Sequence, residues 1–286
     1  MILVLGATGK VGRALVPALL DAGAPVRALT RDPARARIDP RAEVVRGDLD
    51  DVDSVPLSGV SRVFVLTSGH GGDLAARETA LAGAAARAGV THLVKLSTAG
   101  VHFGQTDPIT RAHARGERAI REAGPAWTIL RPGAFMDNRR FWLHTARTDG
   151  AVYVPEGDPA SALVHVRDIA AVATLALTTP GHERATYELT GGEALTPAQQ
   201  VAILGAALGR PVRYVEEPEP AARARLLALG WPADAVDGAF ELKRQSAGRE
   251  DVVFDTVERL LGRKPLTFAQ WAREAAGPGT GPRPRP

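Results

Sequence analysis

A glycine-rich turn near the start of the chain constrains the fold more than any other feature. It reads GATGKVG over residues 6–12, after a β-rich run at 2–5 and before helical spacing at 11–22. Strand, G-x-x-G-x-x-G turn and helix in this order are typical of a dinucleotide-binding βαβ unit. Gly6 permits the tight turn, Gly9 lets backbone amides approach a pyrophosphate, and Gly12 permits close helix–strand packing. The alternative is a helix-entry loop that binds no ligand.

Strands and helices alternate regularly in the first half of the chain. Apolar runs predict strands at 2–5, 25–30, 42–46, 62–67, 92–96 and 127–130, and helical spacing predicts helices at 11–22, 74–88 and 112–123. This alternation predicts an α/β fold of the Rossmann type, with right-handed crossovers and a doubly wound parallel sheet.

The rhythm changes beyond about residue 135. Short strands are predicted at 152–154, 186–189 and 212–215, with helices that open at 167, 197 and 220. We therefore expect a dinucleotide-binding domain at 1–135 and a smaller mixed α/β portion at 136–276 that covers the substrate. Residues 277–286 have almost no apolar content and are expected to be disordered.

Composition excludes several classes of protein. The 286 residues are 45% hydrophobic and 23% charged, as in ordinary globular proteins. No apolar run approaches the roughly 18 residues of a membrane span. The first residues lack the charged leader and cleavage site of a secretory signal. Since cysteine is absent, disulfides and thiolate chemistry are excluded. We expect a cytoplasmic protein with no membrane partner.

The charges and histidines indicate neither nucleic acid nor metal. The net charge of +3 is dispersed, so no nucleic-acid partner is expected. The seven histidines show neither H-x-x-x-H nor H-E-x-x-H spacing, so we expect no metal site. No flavin or haem pattern is visible, and the oligomeric state is left open.

The end of the second predicted strand bears on the choice of nicotinamide cofactor. An acidic residue there binds the ribose hydroxyls of NAD, whereas an arginine accommodates the 2′-phosphate of NADP. Here Arg31 comes first and Asp32 follows. NADP(H) is therefore favoured over NAD(H). Asp32 either caps the following turn or binds ribose, which keeps NAD(H) open.

Several motifs together resemble one family. The runs GATGKVG, VRALTRDP, GDLDD, RVFVLTSG, HLVKLSTAG, WTILRPGAFMDN and VHVRDIAAVA look like those of NmrA-like atypical short-chain dehydrogenases/reductases, over essentially residues 1–275. The resemblance implies an NAD(P)H site. Several relatives of this kind are quinone reductases, and several are redox sensors without turnover.

The resemblance also implies where cofactor contacts lie. Asp48 and Leu49 would lie beside the adenine, although Asp48 as a strand-end cap is the alternative. Thr67, Ser68 and Gly69, at the end of strand four, would line the cofactor trough. Residues 132–134, which follow strand six, would border the nicotinamide. The expected cofactor-binding residues are Gly6, Thr8, Gly9, Lys10, Val11, Gly12, Arg31, Asp48, Leu49, Thr67, Ser68, Gly69 and Pro132.

The usual proton donor is missing. Reductases that resemble this chain carry a tyrosine four residues before a lysine on the helix after strand five. By spacing, Ile109 and His113 occupy those positions. The tyrosines of the chain are Tyr153, Tyr187 and Tyr214, so no shift of register supplies one. A hydroxyl near strand five is kept by Thr98.

Quinones suit such a site because a hydroquinone anion is stabilised and needs little protonation. Neutral His113 would bind ribose, or its cation would stabilise an oxyanion; alternatively it is a solvated helix residue near Glu117. The catalytic candidates are Thr98, His113 and His102. The candidates for substrate binding are Phe135, Met136, Asn138 and Trp142, with Phe141 beside them; core packing is the alternative.

The favoured function is an NAD(P)H-dependent reductase of quinones or related conjugated carbonyls. An anthraquinone-type, aromatic-polyketide acceptor is the specific hypothesis, and its hydroquinone would either react with oxygen itself or pass to an oxygenase partner. The first alternative is a non-catalytic NADP(H)-binding redox sensor that regulates a partner protein. A conventional ketone reductase that uses His113 or His102 as its acid is the second.

Overall fold

A computed structural model of the chain describes residues 1–67 and 73–277. The chain divides into two compact units. The first comprises Met1–Pro132, Val166–Leu189 and Arg259–Gly262, and the second Gly133–His165, Thr190–Glu258 and the described residues from Arg263 onward. Residues 166–189, which were expected in the C-terminal portion, belong to the first unit. The predicted boundary at 135 stays a prediction, and the predicted disorder of the tail beyond residue 277 lies outside the described residues.

The regular elements follow the predicted alternation. The strands are β1 (Ile2–Val4), β2 (Val26–Thr30), β3 (Glu43–Arg46), β4 (Arg62–Val65), β5 (His92–Leu96), β6 (Ala126–Pro132), β7 (Ala151–Pro155), β8 (Ala185–Leu189) and β9 (Arg213–Glu217). The helices are α1 (Gly12–Asp21), α2 (Leu74–Arg87), α3 (Ala99–His102), α4 (Pro108–Glu122), α5 (Trp142–Thr148), α6 (Val166–Thr178), α7 (Pro197–Leu208), α8 (Glu219–Ala228), α9 (Ala233–Ser246), α10 (Thr256–Leu261) and α11 (Phe268–Ala276).

The first unit is built on one parallel sheet. Its strand order is β3-β2-β1-β4-β5-β6-β8, and every neighbouring pair runs parallel. The order reverses between β1 and β4, the switch point at which such sheets bind ligands. The predicted Rossmann-type α/β fold is confirmed. One strand was misassigned: β8, expected in the C-terminal portion, pairs with β6 in this sheet.

One helix begins earlier than predicted. Helix α4 starts at Pro108 instead of residue 112. The carboxylate of Asp107 accepts a hydrogen bond from the backbone of Thr110 at 3.0 Å, and proline is favoured in a first helical turn. The local cap therefore sets the start of α4, which the apolar spacing alone did not indicate.

Strand β5 lies inside the first unit. All of its residues are buried, as expected for a parallel strand covered on both faces. Helix α2 packs against α4, and α1 against α6. Leu93 joins the core that α2 and α4 supply through Leu81 and Ile120. Since side chains alternate along a strand, Lys95 lies on the same face as Leu93.

The second unit has its own small sheet and core. Strands β7 and β9 pair in parallel. Its main core includes Trp142, Leu163 and Trp271, and a separate cluster of Ala222, Val236 and Phe240 joins α8 to α9. Among the helices of the described residues, none is both long and apolar enough to cross a membrane.

Candidate functional site

The glycine turn has the close contacts that its sequence predicts. Gly6 has a φ of +63°, and the Gly9 amide donates to the Gly6 carbonyl at 2.9 Å. A Cβ on Gly12 would lie 2.2 Å from the Gly6 oxygen and 2.6 Å from the Cα of Ala7. No side chain can be accommodated at residue 12 without moving backbone, so α1 begins directly against β1.

A cleft of about 380 Å³ opens beside this turn in the first unit. Among its lining residues are the predicted Gly6, Thr8, Gly9, Arg31, Asp48, Leu49 and Thr67. Within the described residues no side chain caps the first turn of α1. Uncapped amides at a helix start attract a phosphate. The cleft and the turn therefore fit a dinucleotide, with its pyrophosphate at the start of α1.

Other predicted cofactor residues do not line this cleft. Val11 is buried at the start of α1, and Lys10 is exposed. Gly12 acts through packing, and Pro132 is buried at the end of β6. Ser68 and Gly69 lie outside the described residues.

A second cavity of about 390 Å³ adjoins Arg31 and Asp48. Arg46, which the sequence analysis did not select, also lines it and brings a second guanidinium. The Asp32 carboxylate accepts a hydrogen bond from the Arg35 amide at 3.3 Å, so it caps the following turn, which was one of its two interpretations. Two arginines at this cavity suit a 2′-phosphate.

Asp48 has both of its predicted features. Its Oδ1 accepts a hydrogen bond from the Asp50 amide at 3.1 Å, as a strand-end cap would. The residue also lines the cleft beside the glycine turn. Asp48 therefore caps the end of the strand and lines the cleft at the same time.

A buried ion pair lies behind the cleft wall. Lys95 Nζ donates to Glu78 Oε1 at 2.6 Å, and both side chains are inaccessible to solvent. Thr67, which lines the cleft, donates to the same oxygen at 2.6 Å. Burial lowers the pKa of Lys95 against the attraction of Glu78. The pair thus links α2 and β5 to a residue that faces the candidate cofactor site.

This ion pair was not predicted from the sequence, although the sequence contains a signal for it. A lysine inside the apolar strand HLVKL must be buried, and a buried charge needs a partner. Glu78 lies on the buried stripe of α2 with Leu74, Leu81 and Ala82. A carboxylate on an apolar helix face is the corresponding signal.

His113 contacts this pair through one ring nitrogen. Its Nδ1 lies 3.4 Å from Lys95 Nζ, a long hydrogen bond in which the ammonium donates. The neutral ring therefore carries its proton on Nε2. Burial and the charge of Lys95 lower the pKa of His113 to about 4, against the attraction of Glu117 and Asp107. The imidazole is therefore neutral and partly buried rather than solvated, and its role toward ribose or an oxyanion stays a prediction.

A second polar network connects the carboxyl ends of β5, β6 and β8. Buried Glu117 accepts from Ser97 Oγ at 2.7 Å and from Arg131 Nη2 at 2.6 Å. Burial alone would raise the pKa of Glu117, but these hydrogen bonds lower it overall. Arg131 also reaches Glu188 at 3.4 Å, and His102 Nδ1 lies 3.1 Å from the same carboxylate. The predicted catalytic candidate His102 is thus part of this network.

Thr98 keeps the hydroxyl that the sequence predicted at the end of β5. It is the N-cap of α3, and its Oγ1 accepts from the Gly100 amide at 3.3 Å. Its neighbour Ser97 is committed to Glu117. Thr98 is therefore the partly exposed hydroxyl of the two.

The expected substrate-binding residues separate into two groups within the second unit. Met136 and Trp142 are 1% and 3% exposed and pack in its core, so core packing describes them. Asn138 is exposed, Phe135 is partly exposed, and Phe141 is 38% exposed. Of the adjacent pair Phe141 and Trp142, only Phe141 is accessible.

Metal coordination finds no support in the geometry of the described ranges. No group of three or more histidine, aspartate and glutamate side chains within residues 1–67 and 73–277 is arranged to hold an ion.

A Rossmann-type sheet with a glycine turn and a cleft at its switch point defines a dinucleotide-binding protein. The chain belongs to the NAD(P)H-binding family, whose model matches residues 6–180. This confirms the resemblance to atypical short-chain dehydrogenases/reductases that the sequence indicated.

Individual relatives match nearly the whole chain. It is 41% identical to the (4-alkanoyl-5-oxo-2,5-dihydrofuran-3-yl)methyl phosphate reductase of Streptomyces griseus, over 96% of this chain and 98% of the relative. It is 38% identical to the NAD(P)H azoreductase of Xenophilus azovorans, over the same shares. The NADPH complex of an NADPH-dependent quinone oxidoreductase from Escherichia coli is 26% identical, with a TM-score of 0.83, over 97% of this chain and 100% of that chain.

Proposed function

We propose that the protein is a cytoplasmic NAD(P)H-dependent oxidoreductase, with NADP(H) preferred, that transfers hydride to a quinone or a related conjugated carbonyl. The observation that carries the proposal is the cleft beside the glycine turn, where Gly9, Arg31 and Thr67 meet. The names of the relatives support it, since they specify reduction of an oxo-dihydrofuran, an azo compound and a quinone.

The acceptor class follows from the groups available for protonation. Ile109, at the position expected for the tyrosine, offers no proton. A quinone or conjugated carbonyl spreads the charge it gains over several atoms, so correct positioning supplies much of the catalysis. Such acceptors therefore need no strong acid beside them.

Different residues of this chain would bind the cofactor and assist hydride transfer. Bound NAD(P)H supplies the hydride. The backbone of the glycine turn holds the pyrophosphate, and Arg31 with Arg46 holds the 2′-phosphate. His113, neutral and protonated on Nε2, donates a hydrogen bond to the acceptor oxygen as negative charge develops there. Water supplies the proton that completes the hydroquinone.

We extend the proposal to polycyclic, anthraquinone-type acceptors of the aromatic-polyketide kind, whose hydroquinone would pass to an oxygenase. Two accessible aromatic side chains, Phe135 and Phe141, support a flat aromatic ligand. The polycyclic quinones in the panel described below test this acceptor class separately from reductase activity toward simple quinones.

The test is anaerobic loss of nicotinamide absorbance with purified protein, NADPH and a panel of simple and polycyclic quinones. Excluding oxygen removes redox cycling, and a reaction without protein measures direct chemical reduction. We expect NADPH loss matched by hydroquinone formation. If the protein binds NADPH but none of the acceptors in the panel oxidises it, the redox-sensor alternative is favoured instead. Turnover of simple quinones alone would reject only the polycyclic extension.

A further inference from the structure

Arg139 lies in the second unit, and no carboxylate among the described residues pairs with its guanidinium. It ends the short 3₁₀ turn Met136–Arg139 and is partly buried. Its Nε donates to Gln200 Oε1 at 2.9 Å, and its Cζ lies 4.6 Å from the centroid of the Trp142 ring. Across residues 1–67 and 73–277, no carboxylate lies within 4.0 Å of it and neither Nη donates a hydrogen bond.

The guanidinium is held in one orientation. Gln200 is fully buried, and its Nε2 donates to Ser161 Oγ at 3.1 Å and to the Leu195 carbonyl at 2.8 Å. Since both amide hydrogens are used, its Oε1 must face Arg139. Trp142 supports one face of the guanidinium. The edge formed by Nη1 and Nη2 is left as a pre-oriented pair of donors.

Neighbouring acids do not neutralise this cation by direct contact. Asp158 is paired with Lys243 at 2.9 Å. Burial raises the pKa of Glu250, which favours its neutral form. Burial also lowers the pKa of Arg139, against the more distant attraction of both acids. An unpaired, partly buried guanidinium is costly, and such groups recur where a ligand supplies the missing charge.

We propose that Nη1 and Nη2 of Arg139 bind an oxyanionic group, a carboxylate or a phosphate. Two parallel N–H donors match the two oxygens of such a group, which a lysine would contact only as a point charge. Arg139 follows Asn138, an expected substrate-binding residue. The proposed oxyanion site lies within the second unit and does not depend on the proposed function.

Calorimetric titration of the full-length protein tests the site directly. The ligands are naphthyl phosphate, naphthoate and uncharged naphthol, which separate phosphate, carboxylate and ring contributions. We expect at least one anion to bind about tenfold more tightly than naphthol. Arg139→Gln should abolish this preference. Arg147→Gln should keep it, because exposed Arg147 donates only to the Ala276 carbonyl within the described residues.

Two results would overturn the proposal: equal affinity of the wild-type protein for all three ligands, or a preference that survives in Arg139→Gln. Should Arg139→Gln fail to fold, Arg139→Lys replaces it, since it keeps the charge and loses the fork. Reduced anion binding with unchanged naphthol binding would then support the proposal, and wild-type binding of the anions would overturn it.

The calorimetric test is independent of the proposed reductase activity, because it needs no turnover.

Discussion

Lys95 and Glu78 form a fully buried ion pair, with 2.6 Å between Nζ and Oε1. The second oxygen of Glu78, Oε2, is buried and has no hydrogen-bond partner in the described part of the chain. The pair contacts Thr67 on the cleft side and His113 on the α4 side. The core of the first unit therefore holds an ion pair that contacts one residue lining the cleft, Thr67, and one predicted catalytic residue, His113.

Removing one member of this pair should be more damaging than removing both. Lys95→Met leaves Glu78 buried without its cation, which we expect to lower the free energy of unfolding by about 3–5 kcal/mol. Adding Glu78→Gln removes the buried charge and should restore most of this loss. Urea unfolding measures both. Lys264→Met is the control, because its exposed pair with Glu258 should contribute less than about 1 kcal/mol. An unchanged free energy of unfolding in Lys95→Met would contradict the pairing.

Two helical glycines should respond oppositely to alanine. A Cβ on Gly116 in α4 would lie 1.8 Å from Glu78 Oε2 and 2.9 Å from its Cδ, so Gly116→Ala should displace the carboxylate and destabilise the fold. A Cβ added to Gly238 in α9 would have no neighbouring atom of the described residues within 4 Å. Gly238→Ala should therefore stabilise by about 0.5–1 kcal/mol. Thermal unfolding of both variants measures these effects. Stabilisation by Gly116→Ala would refute the close approach of Gly116 to the Glu78 carboxylate.

His113 should make stability depend on pH in the acid range. Its pKa is about 4 in the folded protein and near 6.5 when unfolded. The unfolded chain takes up this proton first, so stability is lost as pH falls from about 6.5 toward 4, by at most on the order of 3 kcal/mol. His113→Asn should remove this component.

The His113 pKa can also be read by nuclear magnetic resonance titration of the ring. Lys95→Met should raise this pKa, because a neighbouring positive charge is lost. A His113 pKa near 6.5 in the wild-type protein would contradict the buried, neutral ring.

Arg31→Ala tests the cofactor preference. Loss of a charged contact to the 2′-phosphate should weaken NADPH binding by about tenfold or more and leave NADH binding nearly unchanged. Arg46→Ala should act in the same direction, since both line the same cavity. Exposed Arg37→Ala is the matched control. Fluorescence titration with both cofactors measures the effect, and equal losses for NADPH and NADH would remove the basis for NADP(H).

Part of this architecture was readable because it is encoded locally. The turn needs a positive φ at Gly6 and has no room for a side chain at Gly12, so both positions are restricted to glycine. The glycine motif therefore predicted the position of the nucleotide-binding turn. The strand β5 was predicted with its observed bounds, because a parallel strand buried on both faces is an apolar run between turns.

Other features depend on segments that meet only in the folded chain. The pairing of β8 with β6 follows the return of the chain through α6, and no local pattern specifies it. The partner of Lys95 lies 17 residues away on another element. The orientation of the Arg139 guanidinium depends on contacts from other elements: Gln200 accepts from its Nε, and the Trp142 ring packs against its face.

The amino-acid sequence by itself determined the α/β class, the nucleotide-binding turn and the family, because each depends on short-range spacing and backbone sterics. Only the tertiary structure decided the charge state of His113, the partner of Lys95 and, among the described residues, the lack of a carboxylate beside Arg139. Burial and long-range electrostatics control these properties, and both arise from packing between elements that the sequence does not place side by side.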